Sequence, residues 1–449
     1  MGRLFGTDGA RGVANTELTA ELAMNIGRAA AMVLVNDEVK HPTILIGKDT
    51  RLSGDMLEGA LIAGLCSVGA NVKLLGVVPT PAVAYLVKKY NADAGVMISA
   101  SHNPFEFNGI KIFSSEGYKL PDDLENRIEE IVLDHAVPYA TANDGEIGRV
   151  AALDSAVDDY INHVAEAVGE DLSGMEIALD CSNGSSSRTA EKLFTKLGVK
   201  VHMLFDEPDG ININKDCGST HTKKLQEYVR KNKLSAGLAF DGDADRCLAV
   251  DENGNLVDGD FLIAICANDM MKNGKLKKNT AVGTVMTNMG FSKFCEANGI
   301  DFVSTKVGDR YVLESMLQNG YNIGGEQSGH IIFLDHSTTG DGELSGAMVL
   351  SIMKRTGEKL SDLAKVMERY PQVLINVKVS NEGKLSFYTD KEVKAEINRV
   401  TEILGDTGRI LVRVSGTEPL VRVMLEGENL EQIQTLAEEA AQVVRERLA

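Results

Sequence analysis

The chain has 449 residues, 43% of them hydrophobic and 25% charged, which is the composition of a globular protein long enough for several domains. Its formal net charge of −19 disfavours nucleic acid and anionic membranes as partners, so an anionic ligand would need a local basic pocket or a bound cation. No apolar run reaches the length of about 18 residues that a membrane helix requires, and the N-terminus lacks the apolar segment of a signal peptide.

Short apolar runs alternate with helical periodicity along the first third of the chain. This pattern predicts strands at 42–47, 71–76 and 94–99, and helices at 54–69 and 81–90. A β-α-β-α-β order is typical of a mostly parallel sheet that is covered by helices on both faces.

The same order recurs twice, in residues 176–240 and 259–320, before the chain changes character. The residues after Pro371 predict a β-α-β-β-α unit with an antiparallel sheet. The sequence therefore predicts an α/β protein with three similar domains, each with a mixed or parallel sheet, followed by a smaller α+β domain. We expect these domains at 1–150, 151–255, 256–370 and 371–449.

The sharpest cluster of functional side chains lies in AFDGDADRC, residues 239–247. Asp241, Asp243 and Asp245 alternate, so in an extended segment their carboxylates would project to one face and could converge on a divalent cation. An EF-hand loop is disfavoured, because Arg246 stands at its turn glycine and the flanks are strand-like. An aspartyl-nucleophile phosphatase would leave the serine-rich loop unexplained, and an acidic turn at a strand end is the structural alternative. We predict a Mg²⁺ site.

The segment GVMISASHNP, residues 95–104, places two hydroxyls at the end of an apolar strand. Ser99 and Ser101 lack the glycines of the hydrolase pattern G-x-S-x-G. His102 is expected to be a poor base for Ser101, because adjacent side chains of an extended segment point to opposite faces. A strand-end turn closed by Pro104 explains this segment as well as a catalytic role does, so the segment alone leaves both open.

The segment RVSGTEPLVR, residues 413–422, is suited to an anion. It brackets two hydroxyls and a glycine between Arg413 and Arg422, a combination that can bind a phosphate, although a solvated hairpin has the same pattern. Arg11 in GTDGARG and Lys111 in NGIKIF are weaker signals, and Lys111 alone could be a surface lysine.

The segment GGEQSGH, residues 324–330, is suited to sugar hydroxyls. It combines Glu326, Ser328 and His330 within a glycine-rich loop. Buried polar groups without partners are costly, so this density of polar groups in a loop indicates function more often than structure.

Taken together, ISASHNP, DGDADR, GEQSGH and RVSGTEP occur in this order, one in each predicted domain, and resemble the α-D-phosphohexomutase family over essentially the whole chain. The resemblance implies four domains around a central cleft, and an isomerase that transfers a phosphoryl group through a phosphoserine and a sugar 1,6-bisphosphate. The implied substrate is a hexosamine phosphate, and a glucose or mannose phosphate is the alternative. A non-catalytic sugar-phosphate-binding protein is the alternative of a different class.

The resemblance also implies a role for each matching residue. Ser101 would carry the phosphoryl group and, through its phosphate, join Asp241, Asp243 and Asp245 in holding one Mg²⁺ per subunit. Sugar hydroxyls would be bound by Glu326 and Ser328, the phosphate that is not transferred by Arg413, Ser415, Gly416, Thr417 and Arg422, and the reacting groups would be flanked by Arg11, Lys111, Arg246 and His330. Lys111 and His330 would be the candidates for proton transfer.

The expected surroundings are those of a cytoplasmic metabolic enzyme. The six cysteines are scattered without a C-x-x-C pair, which indicates reduced and mostly buried thiols rather than disulfides or a zinc site. We expect a small sugar phosphate as the partner, no nucleic acid and no membrane, and a homodimer on the strength of the family resemblance alone.

Overall fold

A computed structural model describes residues 3–6, 8–34, 41–415 and 419–449 of the chain. The chain divides into two compact units, the first made of Met1–Met286 and Gly299–Val366, the second of Thr287–Asn298 and Met367–Ala449. Residues 287–298 thus pack with the C-terminal unit, although they lie within the expected third domain. The boundaries of the four expected domains stay a prediction.

The first sheet of the first unit has six strands. Its strands are β1 (Ala10–Val13), β2 (Thr43–Lys48), β3 (Asn71–Val77), β4 (Ala94–Ile98), β5 (Phe107–Ser114) and β6 (Val150–Ala152), and its helices are α1 (Ala20–Leu34), α2 (Gly54–Ser67), α3 (Thr80–Lys89) and α4 (Asp122–Leu133). The strand order is β1-β5-β4-β2-β3-β6. Strands β2, β3 and β4 run parallel, as predicted. The sequence analysis did not identify β6, which is parallel to β3, or β5 and β1, which add an antiparallel edge.

The second sheet has five strands in the order β11-β10-β9-β7-β8. Its strands are β7 (Glu176–Asp180), β8 (Lys200–Leu204), β9 (Ala236–Phe240), β10 (Cys247–Val250) and β11 (Leu256–Val257), and its helices are α5 (Ala156–Val168), α6 (Ala190–Lys196) and α7 (Lys223–Asn232). Strands β8, β7 and β9 are parallel, and β10 turns back antiparallel to β9. This reversal places the aspartate segment in the β9–β10 connection.

The third sheet has four strands in the order β13-β12-β14-β15, of which β15 is antiparallel to β14. Along this part of the chain follow α8 (Gly259–Lys272), β12 (Thr280–Thr284), α9 (Met289–Asn298, part of the second unit), β13 (Asp301–Thr305), α10 (Asp309–Asn319), β14 (Ile323–Gly325), β15 (Ile331–Phe333), α11 (Gly342–Thr356) and α12 (Leu360–Leu363). The segment predicted to bind sugar hydroxyls forms the tight connection between β14 and β15.

The second unit has a small antiparallel sheet in the order β16-β18-β17. Its remaining elements are β16 (Gln372–Lys378), α13 (Asn381–Ser386), α14 (Lys391–Leu404), β17 (Gly408–Val414), β18 (Leu420–Gly427) and α15 (Leu430–Leu448). Glu426 is buried on β18, where it accepts hydrogen bonds from Arg409 Nε at 2.7 Å and from the N–H of Met289 at 3.2 Å. These bonds fasten the start of α9 to this sheet.

The observed architecture confirms the predicted fold class: mixed α/β sheets precede a smaller C-terminal unit with an antiparallel sheet. Five of the six cysteines are buried, as expected. Within the described ranges, no helix is both long enough and apolar enough to cross a bilayer.

Glu125, in the first turn of α4, is a largely buried carboxyl that should make stability depend on pH. Burial raises the pKa of Glu125 to about 7, because the attraction of Arg310, 4.0 Å away, does not offset desolvation. The ordinary value is 4.5, so the folded state holds this proton more tightly than the unfolded state does. The stability that this group contributes is therefore fully present below pH 4.5 and is lost as the pH rises to about 7.

We expect Glu125→Gln to be more favourable to stability at pH 8 than at pH 5, by about 1–2 kcal/mol after allowance for solvent screening. Urea unfolding of both proteins at the two pH values measures the difference. Glu130, exposed on the same helix, provides the control substitution Glu130→Gln. An effect of Glu125→Gln that is equal at both pH values would contradict the argument.

Candidate active site

The three aspartates of the 241–245 segment converge in the connection between β9 and β10. The prediction of an extended segment was wrong, because β9 ends at Phe240 and Ala244 adopts a left-handed conformation with φ of 52°. The turn nevertheless brings one carboxylate oxygen of each aspartate within 4.8 Å of the others. Asp243 Oδ1 and Asp245 Oδ1 are buried, and neither has a hydrogen-bond partner among the residues that the structure describes. These two oxygens are available to a cation.

Lys111 faces this cluster from β5 and is itself buried. Its Nζ lies 2.6 Å from Asp243 Oδ2 and 3.4 Å from Asp245 Oδ2. Burial would lower the pKa of Lys111, but the attraction of the two carboxylates raises it above its ordinary value. The sequence alone could not exclude a surface position for this lysine.

The pKa values of two of these carboxyl groups, those of Asp241 and Asp245, are shifted in opposite directions. Burial, together with repulsion by Asp245 and Asp243, raises the pKa of Asp241 well above its ordinary value. Burial would also raise the pKa of Asp245, but the charges of Lys111 and His330 outweigh it and hold that pKa well below its ordinary value. A divalent cation bound to these carboxylates would relieve the repulsion between them.

Ser101 follows β4 and points at this cluster. Its Oγ donates a hydrogen bond to Asp241 Oδ2 at 2.5 Å, so the two motifs meet although 140 residues separate them. The expectation that His102 points away was wrong: Ser101 has a φ of 52°, and its Oγ lies 3.3 Å from His102 Nδ1. Burial, with the nearby charges of Arg246 and Arg11, lowers the pKa of His102 to about 4, so its ring is neutral at pH 7.

A second group of charges adjoins the cluster, and the sequence analysis did not single out its members Asp8, Lys119 and Asp309. Lys119 Nζ lies 2.6 Å from Asp309 Oδ2 and 3.1 Å from Asp8 Oδ1. Arg11, a predicted site residue, lies 3.4 Å from Asp8 Oδ2. Its Nε and Nη2 atoms are buried without a hydrogen-bond partner among the described residues. No local pattern distinguishes Lys119 from a surface lysine, and only its ion pairs with Asp8 and Asp309 reveal it.

His330 and Arg246, both predicted site residues, lie beside Asp245. His330 Nδ1 is 3.7 Å from Asp245 Oδ1, and the N–H of Gly340 donates to His330 Nε2 at 3.1 Å. A Cβ on Gly340 would stand 2.5 Å from the imidazole, so a glycine is required there. Burial would lower the pKa of His330, but the negative charge of Asp245 raises it. Arg246 Nε lies 3.7 Å from Asp245 Oδ1.

The predicted sugar-binding residues lie in the β14–β15 turn that also carries His330. The N–H of Glu326 donates to the carbonyl of His330 at 3.0 Å, which closes the turn. Glu326 Oε1 accepts a hydrogen bond from the N–H of Gly308 at 3.1 Å, and burial raises the pKa of this carboxyl. Ser328 is exposed at the tip. The structure therefore brings Glu326 and His330 together, with Ser328 open to a ligand.

The predicted phosphate-binding residues belong to the second unit. Arg413 on β17 and Arg422 on β18 are cross-strand partners, and burial, with the charge of Arg422, lowers the pKa of Arg413. Like charges at directly opposed positions destabilise a sheet, so an anion between them would relieve a cost. Ser415 is buried and its N–H donates to the carbonyl of Leu420 at 2.8 Å. Gly416 and Thr417 lie outside the described residues.

Models of known families match four consecutive segments of the chain. Models of phosphoglucomutase/phosphomannomutase alpha/beta/alpha domains I, II and III match residues 2–136, 158–254 and 258–370, and the model of the C-terminal domain matches residues 374–443. A phosphoglucosamine mutase of Acetivibrio thermocellus is 56% identical over 448 residues, which cover 100% of both chains.

Solved structures share the fold at lower identity. A phosphoglucomutase/phosphomannomutase family protein from Burkholderia thailandensis superposes with a TM-score of 0.82 at 22% identity, covering 99% of this chain and 98% of that one. Aspergillus fumigatus N-acetylphosphoglucosamine mutase, solved in complex with GlcNAc-6P and magnesium, has a TM-score of 0.69 at 17% identity, with 99% and 96% of the two chains covered. The four matched domains and the full-length relative confirm the resemblance: the chain belongs to the phosphoglucomutase/phosphomannomutase family, the α-D-phosphohexomutases, and is most similar there to phosphoglucosamine mutases.

Proposed function

We propose that this chain interconverts glucosamine 6-phosphate and glucosamine 1-phosphate through a phosphorylated Ser101. As a phosphohexomutase it is an isomerase that moves a phosphoryl group within a sugar phosphate. The contact of Ser101 Oγ with Asp241 Oδ2 at 2.5 Å, inside a buried cluster of carboxylates, is the observation that carries the role of Ser101. The reaction would supply glucosamine 1-phosphate for the biosynthesis of UDP-N-acetylglucosamine and hence of peptidoglycan precursors.

The aspartate cluster fits a magnesium ion. Carboxylate oxygens are the ligands that Mg²⁺ prefers, and Asp243 Oδ1 and Asp245 Oδ1 are buried without a hydrogen-bond partner among the described residues. Asp241, Asp243, Asp245 and a phosphate on Ser101 would hold one Mg²⁺ per subunit. When bound, the ion would neutralise negative charge on the transferring phosphoryl group.

The side chains around Ser101 would carry out the transfer in two symmetric steps. The bond between phosphorus and Ser101 Oγ breaks as a bond forms from phosphorus to the free hydroxyl of the sugar, which gives glucosamine 1,6-bisphosphate. The proton of that hydroxyl leaves to a nearby base, for which His330 is the candidate, while Lys111, which its raised pKa keeps protonated, is the candidate to protonate the departing Ser101 Oγ. The bisphosphate then reorients, and the reverse step breaks its other phosphorus–oxygen bond, returns that phosphoryl group to Ser101 Oγ and gives the proton back to the freed sugar oxygen.

The remaining predicted residues would bind the parts of the sugar phosphate that do not react. Glu326 and Ser328 would bind sugar hydroxyls, and Arg11 and Arg246 would lie beside the reacting phosphate. In the second unit, the phosphate that is not transferred would be bound by Arg413, Ser415, Gly416, Thr417 and Arg422. The cross-strand pairing of Arg413 with Arg422, and the effect of the Arg422 charge on the pKa of Arg413, support this role.

The expected setting is a cytoplasmic homodimer that binds a small sugar phosphate and neither nucleic acid nor membrane. The net charge of −19 supports the exclusion of polyanionic partners. Sedimentation of the purified protein would establish the oligomeric state.

We expect kcat/KM to be at least about 10-fold higher for glucosamine 6-phosphate than for glucose 6-phosphate or mannose 6-phosphate, because a site that hydrogen-bonds an amino group discriminates against its replacements. Steady-state assays of the three sugar phosphates, with Mg²⁺ and a catalytic amount of bisphosphate, measure the ratios. A higher kcat/KM for glucose or mannose phosphate would instead identify a phosphoglucomutase or phosphomannomutase of the same family.

A further inference from the structure

Arg51, in the connection between β2 and α2, is a buried residue that the proposed reaction does not use. Its guanidinium group engages all five of its N–H donors. Nε donates to Asp49 Oδ2 at 2.8 Å. The two Nη atoms donate to backbone carbonyl oxygens at 2.5–3.0 Å, those of Pro104, Phe107, Ser101 and Asn103. All four carbonyls belong to the segment that carries or directly follows Ser101.

Asn214 reaches the same segment from a loop between β8 and α7. Its Nδ2 donates to the carbonyl of Ser101 at 2.9 Å and to that of Asn103 at 3.0 Å. Each of these carbonyls therefore accepts one hydrogen bond from Arg51 and one from Asn214. The backbone around Ser101 is thus held from two separate parts of the first unit.

Ser99 completes the arrangement on the amide side of Ser101. The N–H of Ser101 donates to Ser99 Oγ at 2.9 Å, and Ser99 Oγ donates to Asp49 Oδ2 at 2.6 Å. Since Asp49 also binds Arg51, a closed ring of hydrogen bonds runs from the amide of Ser101 to its carbonyl.

This ring holds a conformation that Ser101 would not prefer. Ser101 has a φ of 52°, in the left-handed region that is disfavoured for residues with a Cβ. The carbonyl oxygen of Ser101 is also packed closely against the 241–245 segment, where a Cβ on Gly242 would stand 2.5 Å from it. A return of Ser101 to an extended conformation would redirect its side chain, and Oγ would lose its contact with Asp241.

We propose that Arg51, with Asp49, Ser99 and Asn214, positions the Ser101 loop for phosphoryl transfer by holding Ser101 in its left-handed conformation. Their hydrogen bonds to Ser101 go to its backbone N–H and carbonyl rather than to Oγ, so they are positioning residues. The inference rests on the proposed role of Ser101. It also gives a role to Arg51 at its place in the fold, because Arg51 follows β2 and Ser101 follows the neighbouring strand β4.

The test uses Arg51→Lys, which keeps the charge but cannot supply the planar set of five donors. We expect its kcat to fall about 100-fold, because a displacement of Ser101 Oγ by about 1 Å has a cost of this size. The KM for glucosamine 6-phosphate should change less than about threefold. Ser99→Ala, a small change that removes the hydroxyl accepting from the N–H of Ser101, is also expected to lower kcat. Arg149→Lys, at an exposed arginine of the same unit, is the control and should leave both constants unchanged.

A single-turnover measurement separates the positioning role from the proposed function. Dephosphorylated enzyme is mixed with glucose 1,6-bisphosphate, and phosphate on Ser101 is followed by intact mass and peptide mapping. If the wild-type protein acquires no phosphate on Ser101, the proposed function fails. If the wild type is phosphorylated and correctly folded Arg51→Lys and Ser99→Ala proteins match its rate, the positioning role is overturned. Slow phosphorylation in both variants, with circular dichroism like that of the wild type, supports it.

Discussion

Ser101→Ala is expected to lower turnover of glucosamine 6-phosphate by about 10³-fold or more, because the variant has no hydroxyl to carry the phosphoryl group. Ser101 Oγ donates a hydrogen bond into the aspartate cluster, at 2.5 Å from Asp241 Oδ2. The fold should tolerate the change, since the hydrogen bonds to the backbone N–H and carbonyl of Ser101 do not involve this hydroxyl. A coupled assay measures turnover, and peptide mapping should locate the phosphate of the wild-type protein on Ser101.

The same variant separates a mutase that acts through Ser101 from a non-catalytic sugar-phosphate-binding protein. Ser386→Ala, at an exposed serine of the second unit, is the control and should retain full activity. Mutase activity that survives in Ser101→Ala, or a phosphate found only on Ser99, would contradict the proposed mechanism. Loss of turnover with sugar-phosphate binding intact would exclude a non-catalytic binding protein, because such a protein has no turnover to lose.

Removal of divalent cations is expected to abolish turnover, and Mg²⁺ is expected to restore it, since three buried carboxylates converge and one of them, that of Asp241, accepts a hydrogen bond from Ser101 Oγ. Asp243→Asn should lower kcat/KM by about 100-fold and raise the Mg²⁺ concentration that half-maximal activity requires, because it replaces a carboxylate whose Oδ1 is buried and unpaired within the described part of the chain. Activity assays across a Mg²⁺ titration, together with calorimetric measurement of metal binding, give both quantities.

The matched control is Asp362→Asn, which removes an exposed carboxylate from α12 and should not change the Mg²⁺ titration. Calcium distinguishes a catalytic ion from a structural one. A calcium-binding structural protein is another interpretation of the three aspartates, and it predicts that Ca²⁺ rather than Mg²⁺ stabilises the fold. Inhibition by Ca²⁺ of an enzyme that Mg²⁺ activates would count against it. Full activity of metal-free protein, or an unchanged Mg²⁺ requirement in Asp243→Asn, would refute the assignment of these aspartates.

Local sequence patterns were sufficient to predict the three central parallel strands of the first sheet. The helix predicted at 54–69 is α2, in which Leu57, Leu61 and Leu65 recur every four residues and are buried. Strand β5 escaped prediction because it is stabilised by its neighbours: it pairs antiparallel with both β4 and β1, and its apolar run is interrupted by Lys111. A lysine inside a strand indicates an exposed face unless a distant carboxylate compensates its charge, and here Asp243 does so.

The left-handed turns mark a second limit of prediction. Extended geometry was assumed for the serine and aspartate segments, but Ser101 and Ala244 both have a φ of 52°. No glycine at either position signals such a turn. For Ser101 the conformation is held by Arg51 and Asn214, which lie 50 and 113 residues away in the chain and therefore leave no local trace.

The sequence by itself determined the chemical groups of the candidate site and their order along the chain: a serine, three alternating aspartates, a polar glycine-rich segment, and two hydroxyls and a glycine between two arginines. It also determined the succession of α/β units, because hydrophobic periodicity is a local property. The tertiary structure alone decided that Ser101 meets Asp241, that Lys111 is buried between Asp243 and Asp245, and that Arg51 holds the serine loop. These contacts join residues 50 to 140 positions apart, and they depend on which strands pair and which turns reverse the chain, which short-range residue preferences do not specify.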